Sequence, residues 1–461
     1  MERVEKPDLS RPVPVDEILE QVRTALEAND VDKAVEILRA YRAPDQAEVF
    51  EELSEEEQRK LLPHLSPELT ADILEELDSE DAAHLIENLP DSTVARIVEE
   101  MEPDEAADVL AQLSPSRAEA LVSALEDPDE VRPLLLHPEE SAGGLMTSEF
   151  VALRRRMTAQ EAINTLRAWR PHADAAYYLY VVDREGKLCG VVSLRQLVIA
   201  DPDTPIMEIM DPNVIAVRDD TDQEEVARIM TRYGFLAVPV VNREGQLVGV
   251  ITADDIFEVM EEEATEDIQR FGGAEPLDRG YLATSPLTIT KKRIGWLLLL
   301  FLTATLTGTV IRWFEAEIET VAALVVFIPL LIGTGGNAGS QTTATVIRAL
   351  SIGEITPKDA FLVWWQEARV GALLGLAIGT VAFVRAITWV PNPKLAITVG
   401  LATIGVILWA TFVGAILPLL AARLKIDPAA VSGPVMSTLV DATGLVIYFM
   451  TARWILGLSE A

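Results

Sequence analysis

A single cysteine, Cys189, in 461 residues excludes an internal disulfide and a thiolate-held metal cluster. Histidine is almost as sparse: His64, His84, His137 and His172 show no spacing that suits a zinc-type site. No G-x-x-x-x-G-K-[ST] phosphate loop occurs, which argues against ATP-driven pumping. No nucleophile stands beside a base at catalytic spacing, so an enzyme is the least favoured class. Basic residues are outnumbered, 38 against 73, and the resulting charge of −35 repels nucleic acid and attracts cations. The N-terminal stretch is polar, without the apolar run of a signal peptide, so the first half is expected in the cytoplasm.

The charge is unevenly placed. Residues 291–461 carry 12 Lys+Arg and 9 Asp+Glu, net +3, which leaves 26 against 64, net −38, for residues 1–290. An acidic, water-soluble half thus precedes an apolar half with long uncharged runs. About 20 apolar residues span a bilayer, and the runs predict five spans over 294–314, 319–349, 361–390, 395–422 and 429–457. Lys291, Lys292 and Arg293 precede the first. Arg348, Lys358 and Arg369 lie between the second and third, and Arg423 and Lys425 between the fourth and fifth. Positive loops face the cytoplasm, together with the acidic half. An odd number of spans puts the C-terminus on the opposite side of a plasma (inner) membrane.

Polar residues inside these spans are few. Span 2 contains IGTGGNAGSQTTAT (332–345), where small residues permit close helix approach. Asn337 and Gln341, four apart, share one helix face. That stretch reads either as a packing seam or as part of a conduction path. Asp441 stands in the middle of span 5, where a carboxylate costs roughly 2.5 to 3.5 kcal/mol on insertion scales. It can be neutral and hydrogen-bonded, or paired with Arg385 or Arg369. Alternatively, two copies can meet at a dimer axis, where like charges require a cation between them. A hard divalent cation satisfies them through oxygen ligands or its water shell.

The acidic half holds two repeats. Leu53, Leu65, Leu77, Leu89, Met101, Leu113 and Leu125 recur every 12 residues, with apolar pairs eight and nine positions on. Ser, Asp and Pro follow each leading residue, as at helix starts. One short helix per unit, stacked edge on edge, gives an α-helical superhelix. Then LYVVDREGKLCGVVSLRQL (179–197) parallels VPVVNREGQLVGVITADDI (238–256), each read as strand, Arg-Glu-Gly turn, strand and helix start. This duplication resembles a pair of CBS modules. In that family a Gly-h-h-Thr/Ser-x-x-Asp stretch binds adenosine ribose. Gly249, Thr252 and Asp255 match it in the second copy, which implies one ATP-type site. In the first copy Gln196 stands where Asp would be.

The order of superhelix (1–140), CBS pair (141–264), acidic connecting helix (265–293) and five-helix transmembrane domain (294–461) defines a multi-domain fold class. With GTGGNAGSQTTA in span 2 and DPAAVSGPVMSTLVDATGLVIYF across span 5, the chain resembles the MgtE family of magnesium transporters and channels. The resemblance implies a homodimer in the lipid bilayer with a pore on its two-fold axis, where Asp441 meets hydrated Mg2+. It implies that Asn337, Gln341, Ala429, Ser432, Gly433, Pro434 and Ser437 line or support the pathway. It implies regulatory Mg2+ held by Asp104, Asp108, Asp254, Asp255, Glu262 and Glu263, with Glu315 an acidic position at the membrane edge. Mg2+ would then enter down its electrochemical gradient and close its own gate. The alternatives are a proton-coupled divalent-cation carrier, with Asp441 titrating, and a membrane-tethered sensor that transports nothing.

Overall fold

The computed structural model describes residues 15–169, 178–277, 281 and 284–458, so residues 1–14 of the expected first domain and His172 lie outside the described residues. It contains two compact units, Met1–Met260 and Glu261–Ala461.

In the first unit the 12-residue period becomes helices Ala43–Glu51, Glu55–Leu61, Pro67–Glu75, Ser79–Ile86, Asp91–Val98, Pro103–Ala111 and Pro115–Val122. All but Asp91–Val98, which follows Pro90, begin where the sequence supplies a side-chain cap or a first-turn proline. Ser54 and Glu57 form a reciprocal capping box, and Pro67, Pro103 and Pro115 occupy first helical positions, where the missing N–H costs nothing. The paired apolar positions Ile73/Leu74, Ile97/Val98, Val109/Leu110 and Leu121/Val122 are all buried. Arg117 fastens neighbouring turns by donating to the carbonyls of Glu87 (2.7 Å) and Leu89 (3.1 Å) and to Asp91 Oδ1 (3.1 Å). The core of the later repeats is continuous with that of the second CBS module, through Val238, Val240, Ile256 and Val259.

Each CBS module carries a three-stranded sheet: β1 (Ala152–Arg154), β2 (Tyr178–Val182) and β3 (Leu188–Ser193), then β4 (Val217–Arg218), β5 (Ala237–Val241) and β6 (Leu247–Thr252). In both, the first pair is parallel and the second antiparallel. The Arg-Glu-Gly turns use Gly186 and Gly245 at φ of +82° and +79°, a conformation that favours glycine. The two turns meet reciprocally: Leu188 N donates to Gly245 O and Leu247 N to Gly186 O, both at 3.1 Å. A near-two-fold pair results.

The expectation of one connecting helix over 265–293 differs from the structure. A helix already under way at Ala253 runs to Phe271. Gly272 and Gly273, the latter at φ +74°, end it, and a new helix starts at Pro286 with Ser285 as its cap. That new helix continues through Trp313 as the first span, because Thr284–Arg293 lacks any helix breaker after Pro286.

Among the described residues, five helical stretches of the second unit are long and apolar enough to cross a membrane: Pro286–Trp313, Ala322–Ser351, Pro357–Trp389, Pro393–Arg423 and Val435–Leu456. Glycine brings them together. A Cβ at Gly335 would come within 2.7 Å of Val406 Cγ1 and 3.1 Å of Val440 Cγ1, and one at Gly414 within 2.7 Å of the Gly339 carbonyl oxygen. The glycine face of span 2 is therefore a packing seam against spans 4 and 5, while Asn337 and Gln341 are exposed on the same helix.

At the other end, the short helix Glu315–Thr320 follows span 1. Glu317 is 5% exposed there and accepts a hydrogen bond from Arg453 Nε, whose guanidinium lies 4.8 Å above the Phe314 ring. Phe314 in turn stacks on Phe449 at 4.8 Å. Removing one partner of a fully buried pair costs roughly 3 to 5 kcal/mol. Arg453 keeps 27% of its side chain exposed, so the loss here is smaller. Glu317→Ala is expected to lower the melting temperature in detergent measurably. Glu315→Ala, at an exposed neighbour, is expected to leave it unchanged; equal shifts would contradict the assignment.

Candidate functional site

Asp441 is half-buried at mid-helix in span 5. Its Oδ1 lies 3.9 Å from the point where a Cβ on Gly336 would sit, so the carboxylate meets bare backbone of span 2. Among the described residues no arginine pairs with it. Arg385 lies 4.0 Å over the Trp389 ring, and Arg369 donates to Gln366 on its own helix. The alternative of an interhelical ion pair with either arginine is thus not realised, because both guanidiniums find partners one turn away. The flanking contacts are tight. Met436 and Val440 are buried against span 4, and Trp409 Nε1 donates to Thr443 Oγ1 at 2.7 Å.

The other expected pathway residues divide. Asn337 and Gln341 are exposed and Ser437 is half-buried, whereas Ala429 is fully buried. The side chains of Ser432 and Pro434 lie outside the described residues. Gly433 touches backbone: a Cβ there would overlap the carbonyl oxygen of Phe271, the last residue of the connecting helix.

In the first unit the carboxylates converge more closely. Asp104 opens the helix Pro103–Ala111 and is 7% exposed, with Oδ1 buried and without a hydrogen-bond partner among the described residues. Burial, and then the charge of Asp255, drive its carboxyl well above the usual range. Burial, with Asp104 and Asp108 beside it, pushes Glu105 up to about 10. Asp255 is raised to about 6 by burial and by Asp254. It also caps its own helix: Thr252 N and Oγ1 both donate to Asp255 Oδ2, at 3.1 and 2.9 Å. In the first module Ser193 N and Oγ donate to Gln196 Oε1 at 2.9 and 2.7 Å, so Gln196 does the same capping work without a charge. Neighbouring carboxyls in a buried setting disfavour one another's charged forms. Among the described residues no group of three or more His, Cys, Asp or Glu is placed to hold a metal ion.

Of the remaining sequence candidates, Asp254 and Glu262 are exposed and Glu263 is half-buried on the helix Ala253–Phe271, and Glu315 is exposed. Glu105, which the 12-residue pattern places beside Asp104 on the carboxylate-rich surface, was not among the site candidates read from the sequence. Nor were Glu317, the middle of three alternating glutamates, and Asp427, which a Pro at the next position marks as a helix cap.

Comparison with known proteins agrees with this architecture. A family model described as an MgtE divalent cation transporter matches residues 328–451, one for the MgtE intracellular N domain matches 41–140, and CBS domain models match 142–203 and 206–262. The magnesium transporter MgtE of Thermus thermophilus is 45% identical over 327 residues, 71% of this chain and 72% of that protein. That of Enterococcus faecalis is 36% identical over the same shares. A crystal structure of the cytosolic domain of the Mg2+ channel MgtE in complex with ATP is 40% identical and covers 52% of this chain and 99% of its own, with a TM-score of 0.49. By sequence over most of its length, the chain belongs to the MgtE family of divalent cation transporters.

Proposed function

We propose that the protein is a Mg2+-selective, Mg2+-gated channel, a homodimer that admits Mg2+ to the cytoplasm down its electrochemical gradient. The observation that carries the reading is Asp441. It is a carboxylate at mid-membrane without a basic partner among the described residues, facing the bare backbone of the glycine-rich span. Intramembrane acids of this kind mark ion pathways. Two copies on a dimer axis would present a charge of −2 to a hydrated divalent ion. Closure is assigned to the acidic half, with the C-terminus outside. Compact association of its carboxylates is self-repulsive without cations. A bound divalent ion neutralises such carboxylates and bridges them. Asp104, Asp108, Asp254 and Asp255, and separately Glu262 and Glu263, are the residues proposed to hold such ions, and differential affinity for the compact state drives the gate. The second CBS module, with Thr252 and Asp255, is the one proposed to take an adenine nucleotide.

The test is flux. In proteoliposomes, Mg2+ uptake should follow the Mg2+ gradient and membrane potential, survive collapse of a pH gradient, and stop when the acidic half sees millimolar Mg2+. Loss of uptake on collapsing the pH gradient would indicate a proton-coupled carrier, and no uptake at all a sensor. Glu262→Gln with Glu263→Gln should raise open probability at high Mg2+ in single-channel recording. Unchanged closure would remove these two residues from the sensor.

A further inference from the structure

The corner formed by the ends of spans 2 and 4 and the start of span 3 is basic and apolar at once. Val346, Ala415 and Leu419 are buried there against Leu350, Ile355 and Val363, and span 4 packs on the turn Pro357–Asp359. Arg348, Lys358, Arg423 and Lys425 are exposed on the segments that meet at this small core. Exposed apolar side chains alternate with them along the chain. Phe361, three residues after Lys358, is 70% exposed, and Leu424 and Ile426, on either side of Lys425, are 61% and 47% exposed. We propose that this corner binds the headgroup of an anionic phospholipid, in the leaflet from which span 1 enters, with Lys358 and Lys425 as the residues that select it.

None of the four cations makes an ion pair among the described residues, and the nearby carboxylates are engaged elsewhere. Asp359 Oδ2 accepts from Thr356 N and Oγ1, at 2.9 and 2.7 Å. Asp427 accepts from Ala429 N, capping span 5, and from Arg270 Nη1, both at 2.7 Å. Glu354 is the exposed carboxylate that remains on the loop between spans 2 and 3. Helix dipoles account for half of the basic set. Arg348 and Arg423 lie in the last turns of their helices, where a cation is favoured. Lys358 lies in the turn that leads into span 3, at the end of a helix where a cation is disfavoured. Lys425 stands where the backbone favours glycine. Its φ is +58°, and Asn29 is the one other non-glycine residue at positive φ among the described residues. Ile426 N donates to Ala421 O at 3.0 Å and Lys425 N to Ala422 O at 3.2 Å, the two bonds of a Schellman motif, whose left-handed residue is usually glycine. Both lysines are thus kept against local preference, and a backbone outlier of this kind points to function. An anionic amphiphile matches both halves of the surface: its phosphate meets the cations, and its acyl chains meet Phe361, Leu424 and Ile426. A free phosphate or an acidic protein segment would leave those apolar side chains in water.

The test places the full-length protein in phosphatidylcholine vesicles doped with brominated phosphatidylglycerol or brominated phosphatidylcholine. Quenching of tryptophan fluorescence reads lipid contact, and Trp365 is exposed at this end of span 3. Wild type should prefer the brominated phosphatidylglycerol, and the preference should weaken at high salt. A cation near an anionic surface is worth about a fivefold factor, so Lys425→Gly and Lys358→Gln should each cut the preference about fivefold. Lys394→Gln, at an exposed lysine on the other end of span 4, should leave it unchanged. Lys425→Gly should also melt no lower than wild type in lipid-free detergent, because glycine suits that φ. A lysine with a merely structural role would lower the melting point on substitution and leave lipid preference alone. Equal binding of the two lipids by wild type, or an unchanged preference in the two lysine variants, overturns the proposal. So does displacement of the brominated phosphatidylglycerol by millimolar inorganic phosphate, which would mark a site for a soluble anion.

Discussion

Asp441→Asn is expected to reduce Mg2+ flux by about a hundredfold or more while leaving the protein folded in the membrane. The substitution keeps shape and hydrogen-bonding capacity and removes one charge per subunit. A unit charge facing a divalent ion at about 5 Å, in an effective dielectric near 20, is worth on the order of several kcal/mol, and about 1.4 kcal/mol is already tenfold. Folding should be indifferent or improved, because Asp441 has no basic partner among the described residues to strand. Asp441→Glu keeps the charge but extends it by one methylene toward Gly336, where the backbone is close, so flux should fall only in part. The measurement is tracer or dye-reported uptake into liposomes at matched protein density. Normal uptake by Asp441→Asn would remove the carboxylate from the pathway.

Much of this architecture was legible because its signals are periodic or local. The 12-residue recurrence from Leu53 to Leu125 yielded helices that start at 43, 55, 67, 79, 91, 103 and 115. The two Arg-Glu-Gly turns needed a glycine at positive φ and have one. Charge density alone separated the membrane half. What escaped depends on neighbours distant in sequence. Arg270 and Asp427 are 157 residues apart, and nothing in either segment announces the other. Glu315, Glu317 and Glu319 look alike in sequence, yet only Glu317 turns inward, because Arg453 from span 5 waits there. Gln196, where the ribose-binding stretch would have Asp, completes a capping box with Ser193. The limits of the connecting helix were misjudged because the pattern of span 1 starts well before its apolar core, at Ser285.

Asp104→Asn is expected to act with opposite sign on the two states of the acidic unit. Asp104 is buried, with one oxygen lacking a hydrogen-bond partner among the described residues and with Asp255 and Asp108 nearby. Asn replaces a carboxyl that must either hold a proton or charge up against its neighbours, so the cation-free protein should melt higher, by a few degrees for about 1 kcal/mol. With Mg2+ the variant should gain little, because one bridging carboxylate is gone, and the channel should stay open at concentrations that close wild type. The pH dependence has a definite sign. Glu105 sits near 10 and Asp104 is also raised, so the compact cation-free unit holds protons that the unfolded chain releases above about pH 4 to 5. Its stability therefore falls as pH rises from there toward 10. A divalent ion must displace those protons, so its apparent affinity rises with pH and binding releases protons into weak buffer. Mg2+ protection against limited proteolysis of the full-length protein at pH 6 and pH 8 checks both statements. Protection that is independent of pH, or an Asp104→Asn protein that melts lower and still closes normally, would show that this carboxylate neither strains the compact state nor holds the ion.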